Sequence, residues 1–482
     1  MSQDILSLDA VDQLKALSDR RVSAVELLDL EVARHRAQNP RINAVVNTDI
    51  DRARGAAAAI DEARAKGAAL GVLAGLPMTI KDSLDVEGMP ASAGVERFRD
   101  REVVDAVMAA RVRAAGAVIW GKTNIPVMTG DWQSYNRLYG ATNNPWDLER
   151  TPGGSSGGSA AALAVQVTAL EIGSDIAGSL RVPAAFCGVT AHKPTLCLLP
   201  DLGHVPPRPG TLAPDGLSVV GPMARSVRDL SLLLHVLSAG QTPAQIAPAD
   251  PKTMRVALWL DDPAMLLDAE VRITIETWAA DLKSAGVTLT PIASPLSAPA
   301  LLWTYNFLLM AYLAGGFPEG TWKDWASKRS IAAGKMKKGA GPLSFAATIL
   351  AATSTHREWL VANEKRYQLK AQMAEIFRDW DAIVTPVAPV VPFLHDHSEF
   401  QHRKLFCSNG DKADYASMKT WVALATCLGL PATAIPAGFS TNGLPVGVQV
   451  IGPQDADART LAIAHTLEQA VGGYVAPPLG AL

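Results

Sequence analysis

From Leu76 onward the sequence alternates short apolar runs, such as Pro-Met-Thr-Ile-Lys at 77–81 and Ala-Val-Ile-Trp-Gly-Lys at 117–122, with Ala-rich stretches such as residues 103–115. The runs are strand-sized and the Ala-rich stretches are good helix formers, so the alternation calls for an α/β sheet covered by helices. The pattern returns near the C-terminus. Ala-Ile-Val-Thr-Pro at 382–386 is followed by a helical stretch at 421–429 and by two strand-like runs at 431–438 and 445–452. Ahead of the alternation, Leu14, Leu17, Val25, Leu27, Leu28 and Val32 are spaced for one apolar helical face, residues 53–66 continue the helical character, and Gly71 to Pro77 end it. Residues 235–400 read as less regular and hold Trp303, Tyr305, Trp322 and Trp325. Those rings line a pocket or fill core, and core is the simpler reading because most buried aromatics only pack.

A chain of 482 residues has room for two or three domains, but no linker, repeat or low-complexity run marks a cut. Residues 1–482 therefore read as one unit. With 48% hydrophobic residues the chain can bury a large core, which excludes a disordered or collagen-like protein. Forty-four Lys+Arg against 47 Asp+Glu leave a formal charge of -3, so nothing global draws it to nucleic acid or anionic lipid. Acids and amides interrupt the first twenty residues where a signal peptide needs an apolar run, and no later stretch is apolar enough to span a bilayer. The expectation is a cytoplasmic protein without membrane partners. Four cysteines (Cys187, Cys197, Cys407, Cys427), with no C-x-x-C pair, are too few for a disulfide framework and are expected in the core. His395, His397 and His402 make the nearest approach to a metal cluster, but without Cys or helical His spacing a polar loop is expected.

Residues 151–160, Thr-Pro-Gly-Gly-Ser-Ser-Gly-Gly-Ser-Ala, open an Ala-rich helix. Glycines let backbone N–H groups turn towards an anion or carbonyl oxygen, and Ser155 or Ser156 can cap the helix, so an oxyanion site is plausible here. A phosphate loop needs a lysine where Ser159 and Ala160 stand. Gly153, Ser155 and Gly157 match G-x-S-x-G, but that elbow requires a preceding strand, and the stretch from Asn144 to Pro152 is none. A flexible linker is the remaining reading, and this segment alone does not decide.

Downstream, residues 173–183 read Gly-Ser-Asp-Ile-Ala-Gly-Ser-Leu-Arg-Val-Pro. The two segments in order, with GLPMTIKDSLDVEGMPASAG at 75–94, GAVIWGKTNIP at 116–126, GATNNPWD at 140–147 and GLPVGVQVIG at 443–452, resemble the amidase signature family over almost the whole chain. The resemblance implies a single large α/β domain whose central mixed sheet carries helices on both faces. It implies a signature core at about 70–235 and a variable substrate-pocket segment at about 236–380, where the likeness is weakest. Matched position by position, it implies Lys81 as catalytic lysine, Ser155 as bridging serine, typically after a cis peptide, and Ser179 as nucleophile. The backbone N–H groups of Ile176, Ala177, Gly178 and Ser179 become the oxyanion donors, with Ala177 standing where many relatives have Gly. No cofactor or metal is implied, and related enzymes suggest a homodimer.

The chemistry is coherent on its own terms. A serine hydroxyl is a poor nucleophile until a base takes its proton, and lysine is a base only when neutral. Desolvation favours the neutral form, so Lys81 is predicted to be buried. Ser155 would relay the proton and later deliver it to the leaving amine. Asp175 and Arg181 are expected to pair and fix the loop. Lys81 and Asp82 alone would read as a surface ion pair, and His192 and His204 invite a Ser-His-Asp triad, although the lysine already fills the base role.

Substrate identity falls to segments outside the signature. Thr129 is expected, by resemblance, to bring its backbone near the reacting carbonyl. Asp131 and Trp132 put an acid and a large ring where relatives are often bare, which predicts a pocket for an aryl or amine-bearing small-molecule amide. Esters and carbamates would be side substrates of the same acyl-enzyme chemistry. The alternative is the glutaminase-type A subunit of a tRNA-dependent amidotransferase, which works only with a partner protein. A non-catalytic scaffold has no need of Lys81, Ser155 and Ser179 together.

Overall fold

The apolar run at 77–81 forms the fully buried strand Pro77–Lys81. It pairs in parallel with Val118–Thr123, which pairs antiparallel with Val45–Thr48. In the computed structural model, which describes residues 4–480, this three-stranded sheet stands beside an eight-stranded one. The order across the larger sheet is Leu289–Pro291, Val256–Leu258, Ala382–Pro386, Pro445–Ile451, Ala432–Phe439, Thr190–Lys193, Val219–Ala224 and Leu170–Asp175. The first three strands run parallel and the rest pair antiparallel, so the sheet is mixed.

Alternate residues of the large sheet pack into different cores, as strand periodicity requires. Ala434 and Met223 join the buried helices Gly157–Ala164 and Arg181–Cys187, whereas Ile435 and Val220 join the helices Val227–Leu237, Ala269–Ser284 and Asp457–Val471. Helices therefore cover both faces. The N-terminal expectation holds with a division: Ala10–Ser18, Ala24–Ile42 and Ile50–Ala65 are separate helices, with the strand Val45–Thr48 between the last two. Ser23 and Glu26 form a reciprocal capping box at the start of the second.

The segment read as irregular is largely helical. It holds Ala298–Leu313, Glu319–Ser327, Arg329–Lys337, Phe345–Ala352 and His356–Ile376. Several of these are apolar nearly all round or polar nearly all round, so periodicity carries little signal; Thr355 and Glu358 form a reciprocal capping box at the start of the last. Tyr305 is fully buried, while Trp322 is exposed. The cysteines divide likewise: Cys187 and Cys427 are core, Cys407 is half-buried and Cys197 exposed. Among the described residues, no helix is long and apolar enough to cross a membrane.

The two sheets meet at the site. Thr79 donates to Glu171, and two residues further along its strand Lys81 reaches Ser174. Two neighbouring strands thus deliver their C-terminal ends, Lys81 and Asp175, to one place.

Candidate active site

Lys81 has no exposed surface. Its Nζ lies 2.7 Å from Ser155 Oγ, 2.9 Å from Ser174 Oγ and 3.4 Å from the Ser174 carbonyl oxygen, with no carboxylate among the described residues in hydrogen-bond reach. Desolvation brings its pKa from 10.5 down to about 7, against the pull of Asp175 and Glu171. Both carboxylates are restrained. Burial raises Glu171 to about 8, keeping it mostly protonated near neutrality. Asp175 is buried yet held at about 2 by Arg181, which it meets at 3.0 Å. Lys81 and Asp82 do not form the surface pair that sequence proximity suggests: Asp82 is buried against Lys122 at 3.3 Å.

The Gly-Ser segment is tightly enclosed, which excludes the linker reading. A Cβ on Gly154 would sit 2.6 Å from the Asp131 carbonyl oxygen and 2.8 Å from the Gln133 nitrogen, both backbone atoms. The Gly154–Ser155 peptide is cis. Neither Ser155 nor Ser156 caps the following helix with its side chain, contrary to expectation. Ser155 is turned to Lys81 instead, and the Ser156 hydroxyl donates to the Ser174 carbonyl at 3.4 Å. The Ser156 N–H donates to the Ser179 carbonyl at 3.2 Å, stitching the two serine loops together. Ser155 and Ser179 are both buried. Among the described residues the Ser179 hydroxyl itself has no hydrogen-bond partner.

The loop before Ser179 is held from outside by its carbonyls. Tyr305 donates to the Ile176 oxygen at 2.9 Å, and Trp132 Nε1 to the Ala177 oxygen at 2.7 Å. The Gly178 oxygen accepts the Val182 N–H at 2.7 Å. In a trans peptide the C=O and the following N–H point opposite ways, so each anchored carbonyl fixes a donor on the other side. Ile176, Ala177 and Ser179 keep N–H groups without a protein acceptor among the described residues. Gly178 departs from the expectation, because its N–H donates to Asp175 Oδ1 at 2.8 Å. Asp175 also accepts from Leu180 N and twice from Arg181, so the carboxylate that orders the loop consumes one of the four expected donors. Gly178 itself has φ +92, and a Cβ there would meet Val422 at 2.7 Å.

The acid and ring expected to line the pocket do other work. Asp131 pairs with Arg403 at 2.5 Å and accepts from the Tyr415 hydroxyl at 2.7 Å, both ionic side chains being almost wholly buried. Its charge is already matched, so it cannot serve as a free acid for an amine-bearing substrate. Trp132 is buried, with its N–H spent on Ala177 and its ring 5.3 Å from that of Tyr415. Both brace the site from behind. The sequence shows no partner for Asp131 because Arg403 lies far away along the chain. Thr129 is half-exposed with φ 54, a left-handed conformation rare for a β-branched residue, and its side chain makes no hydrogen bond to Ser155 or Ser179.

Neither histidine near the motif forms a triad with Ser179. His192 is buried against Asp457 at 3.0 Å and Thr433 at 2.9 Å. His204, in contrast, reaches the Ser174 hydroxyl at 2.8 Å, one side chain from Lys81. Sequence reading missed this because Ser174 carried no assigned role. His397 stacks on Tyr135 with ring centroids 3.9 Å apart. Among the described residues no three His, Cys, Asp or Glu side chains are arranged to hold a metal ion.

The sequence profile described as Amidase matches residues 26–461. The A subunit of the glutamyl-tRNA(Gln) amidotransferase of Synechococcus sp. (strain CC9605) is 32% identical, covering 97% of this chain and 97% of its own. A 6-aminohexanoate cyclic dimer hydrolase, solved with its substrate, is similar with a TM-score of 0.78 and 26% identity, covering 99% of this chain and 100% of its own. A crystal structure described as an amidase gives a TM-score of 0.78 at 26% identity, over 96% of this chain and 100% of its own.

Proposed function

The chain belongs to the amidase family, and from that premise we propose that it hydrolyses a carboxylic amide to acid and amine or ammonia through an acyl-enzyme on Ser179. The observation that carries the reading is Lys81, buried, without a carboxylate partner among the described residues, brought down to about 7 and 2.7 Å from the Ser155 hydroxyl. A neutral amine there accepts the Ser155 proton while Ser155 takes that of Ser179, and Ser179 Oγ bonds to the substrate carbonyl carbon. The oxyanion is met by the N–H groups of Ile176, Ala177 and Ser179. Collapse breaks the C–N bond, and the proton returns through Ser155 so that the nitrogen leaves as a neutral amine. Water then attacks the acyl-enzyme by the same relay, releasing the acid and restoring Ser179.

The second reading, the glutaminase component of a tRNA-dependent amidotransferase, is supported by the similarity along nearly the full length to the Synechococcus amidotransferase sequence. The two differ in what they need. An autonomous amidase turns over simple amides alone, whereas the glutaminase reading requires L-glutamine and gains rate with partner proteins.

The test is intact-mass measurement after exposure to a small fluorophosphonate at neutral pH. One adduct is expected on the wild type, none on Ser179→Ala, and slow labelling of Lys81→Met. An adduct that persists on Ser179→Ala would remove Ser179 from the role. An amide panel that includes glutamine then separates the two readings.

A further inference from the structure

We propose that His204 is a positioning residue for the base: it fixes the direction of the Ser174 hydroxyl and, through it, the direction of the Lys81 lone pair. The inference rests on the reading of Lys81 as the base that serves Ser179.

The hydrogen-bond directions follow from one group that can only accept. His204 Nδ1 lies 2.7 Å from the Pro206 carbonyl oxygen, so Nδ1 carries the proton and Nε2 is an acceptor. The Ser174 hydroxyl, 2.8 Å from Nε2, must then donate to it. Its oxygen is left to accept from Lys81 Nζ at 2.9 Å, and the Ser174 carbonyl offers a second acceptor at 3.4 Å. A neutral amine has two N–H groups and one lone pair. With both N–H groups directed at Ser174, the lone pair faces Ser155. Without an acceptor at position 204, the Ser174 hydroxyl can rotate and donate its proton to the Lys81 lone pair, an idle arrangement that competes with Ser155.

The backbone locks His204 to the segment that carries Lys81. Val205 N–H donates to the Ser83 carbonyl at 2.7 Å, and His204 bridges Leu84 across the two segments. Desolvation and the nearby Lys81 hold His204 down to about 4, so it is neutral near pH 7. The charged groups around the pair are few. Lys81 faces Asp175 and Glu171, and His204 faces Lys81, Asp215 and Asp85, the last paired with Arg101 at 2.7 Å.

The experiment is the rate of Ser179 labelling by a small fluorophosphonate across pH, read by intact mass, for wild type, His204→Gln, His204→Met, His204→Leu, Ser174→Ala and the Ser174→Ala/His204→Met double variant. Gln and Met have nearly the same shape, but Gln offers a strong carbonyl acceptor and Met only a weak thioether, so His204→Gln should stay within about threefold of wild type while His204→Met slows by about tenfold. His204→Leu provides a second apolar variant if Met packs poorly. The acid midpoint should move to lower pH in His204→Met, because losing an oriented acceptor favours the uncharged lysine. In the Ser174→Ala background the Met substitution should cost nothing further. Equal rates for wild type and His204→Met, equal slowing by Gln and Met, or an undiminished Met effect without Ser174 would each overturn the proposal alone. A wild type that does not label would overturn the base reading and this inference with it.

Discussion

The Tyr305 hydroxyl donates to the Ile176 carbonyl oxygen at 2.9 Å, so a helix from outside the signature stretch holds one side of the loop that leads to Ser179. That bond turns the Ala177 N–H the other way, towards the side proposed for the oxyanion. Tyr305→Phe keeps the ring and deletes the anchor, and should lower kcat by about tenfold with KM little changed, since the donor matters most when charge develops. Steady-state kinetics on one amide check this; an unchanged kcat would mean that the loop holds its donors without Tyr305.

Lys81 should impose an acid limb on kcat/KM with a midpoint near 7, because only the uncharged amine accepts a proton. Below that midpoint the rate should fall by about tenfold per pH unit. An acid limb set instead by an ordinary carboxylate, well below pH 6, would contradict the assignment.

The same shift also has a consequence for stability. The pKa of Lys81 is lower in the folded chain than its ordinary 10.5, so between about 7 and 10.5 the unfolded chain binds more protons, and stability from this group rises with pH across that window. Lys81→Met, which removes the buried amine, should therefore gain most in melting temperature at pH 6, with the gain shrinking towards pH 9. Melting curves at the two pH values decide it, and a gain that grows with pH would be the wrong sign.

Asp131→Asn should destabilise the fold, because it leaves Arg403 buried without its counter-charge. Breaking such a pair costs about 3–5 kcal/mol. Urea unfolding measures the loss. The ratio of rates on cationic and neutral amides should stay as in the wild type, since Asp131 is already occupied by Arg403 and Tyr415; a selective loss on cationic amides would return Asp131 to the pocket.

Gly154→Ala tests the close packing of the serine loop. Its new methyl would lie 2.6 Å from the Asp131 oxygen, and backbone on both sides cannot yield cheaply. A loss of about 1–3 kcal/mol is expected, with weakened labelling of Ser179. A variant as stable and as reactive as wild type would show that the loop has room to move.

Much of this protein was legible in the chain itself. Alternating strand-sized and Ala-rich runs dictated an α/β sheet, because side-chain period and length leave few other ways to bury those residues. Lys81, Ser155 and Ser179 were singled out through the resemblance of their local motifs to the amidase signature family. The pairing of Asp175 with Arg181 was readable from their spacing, six residues being a distance local structure can span. What sequence could not supply were partners brought from far along the chain. Arg403 neutralises Asp131, Tyr305 anchors Ile176, and His204 meets Ser174 only after three separate strands and loops have packed. Even within the motif, the loss of the Gly178 N–H to Asp175 depends on how a carboxylate folds back in a tight turn. Residue identity and spacing fix which groups can react; burial and long-range contact decide which are charged, which are already satisfied, and which remain free to act.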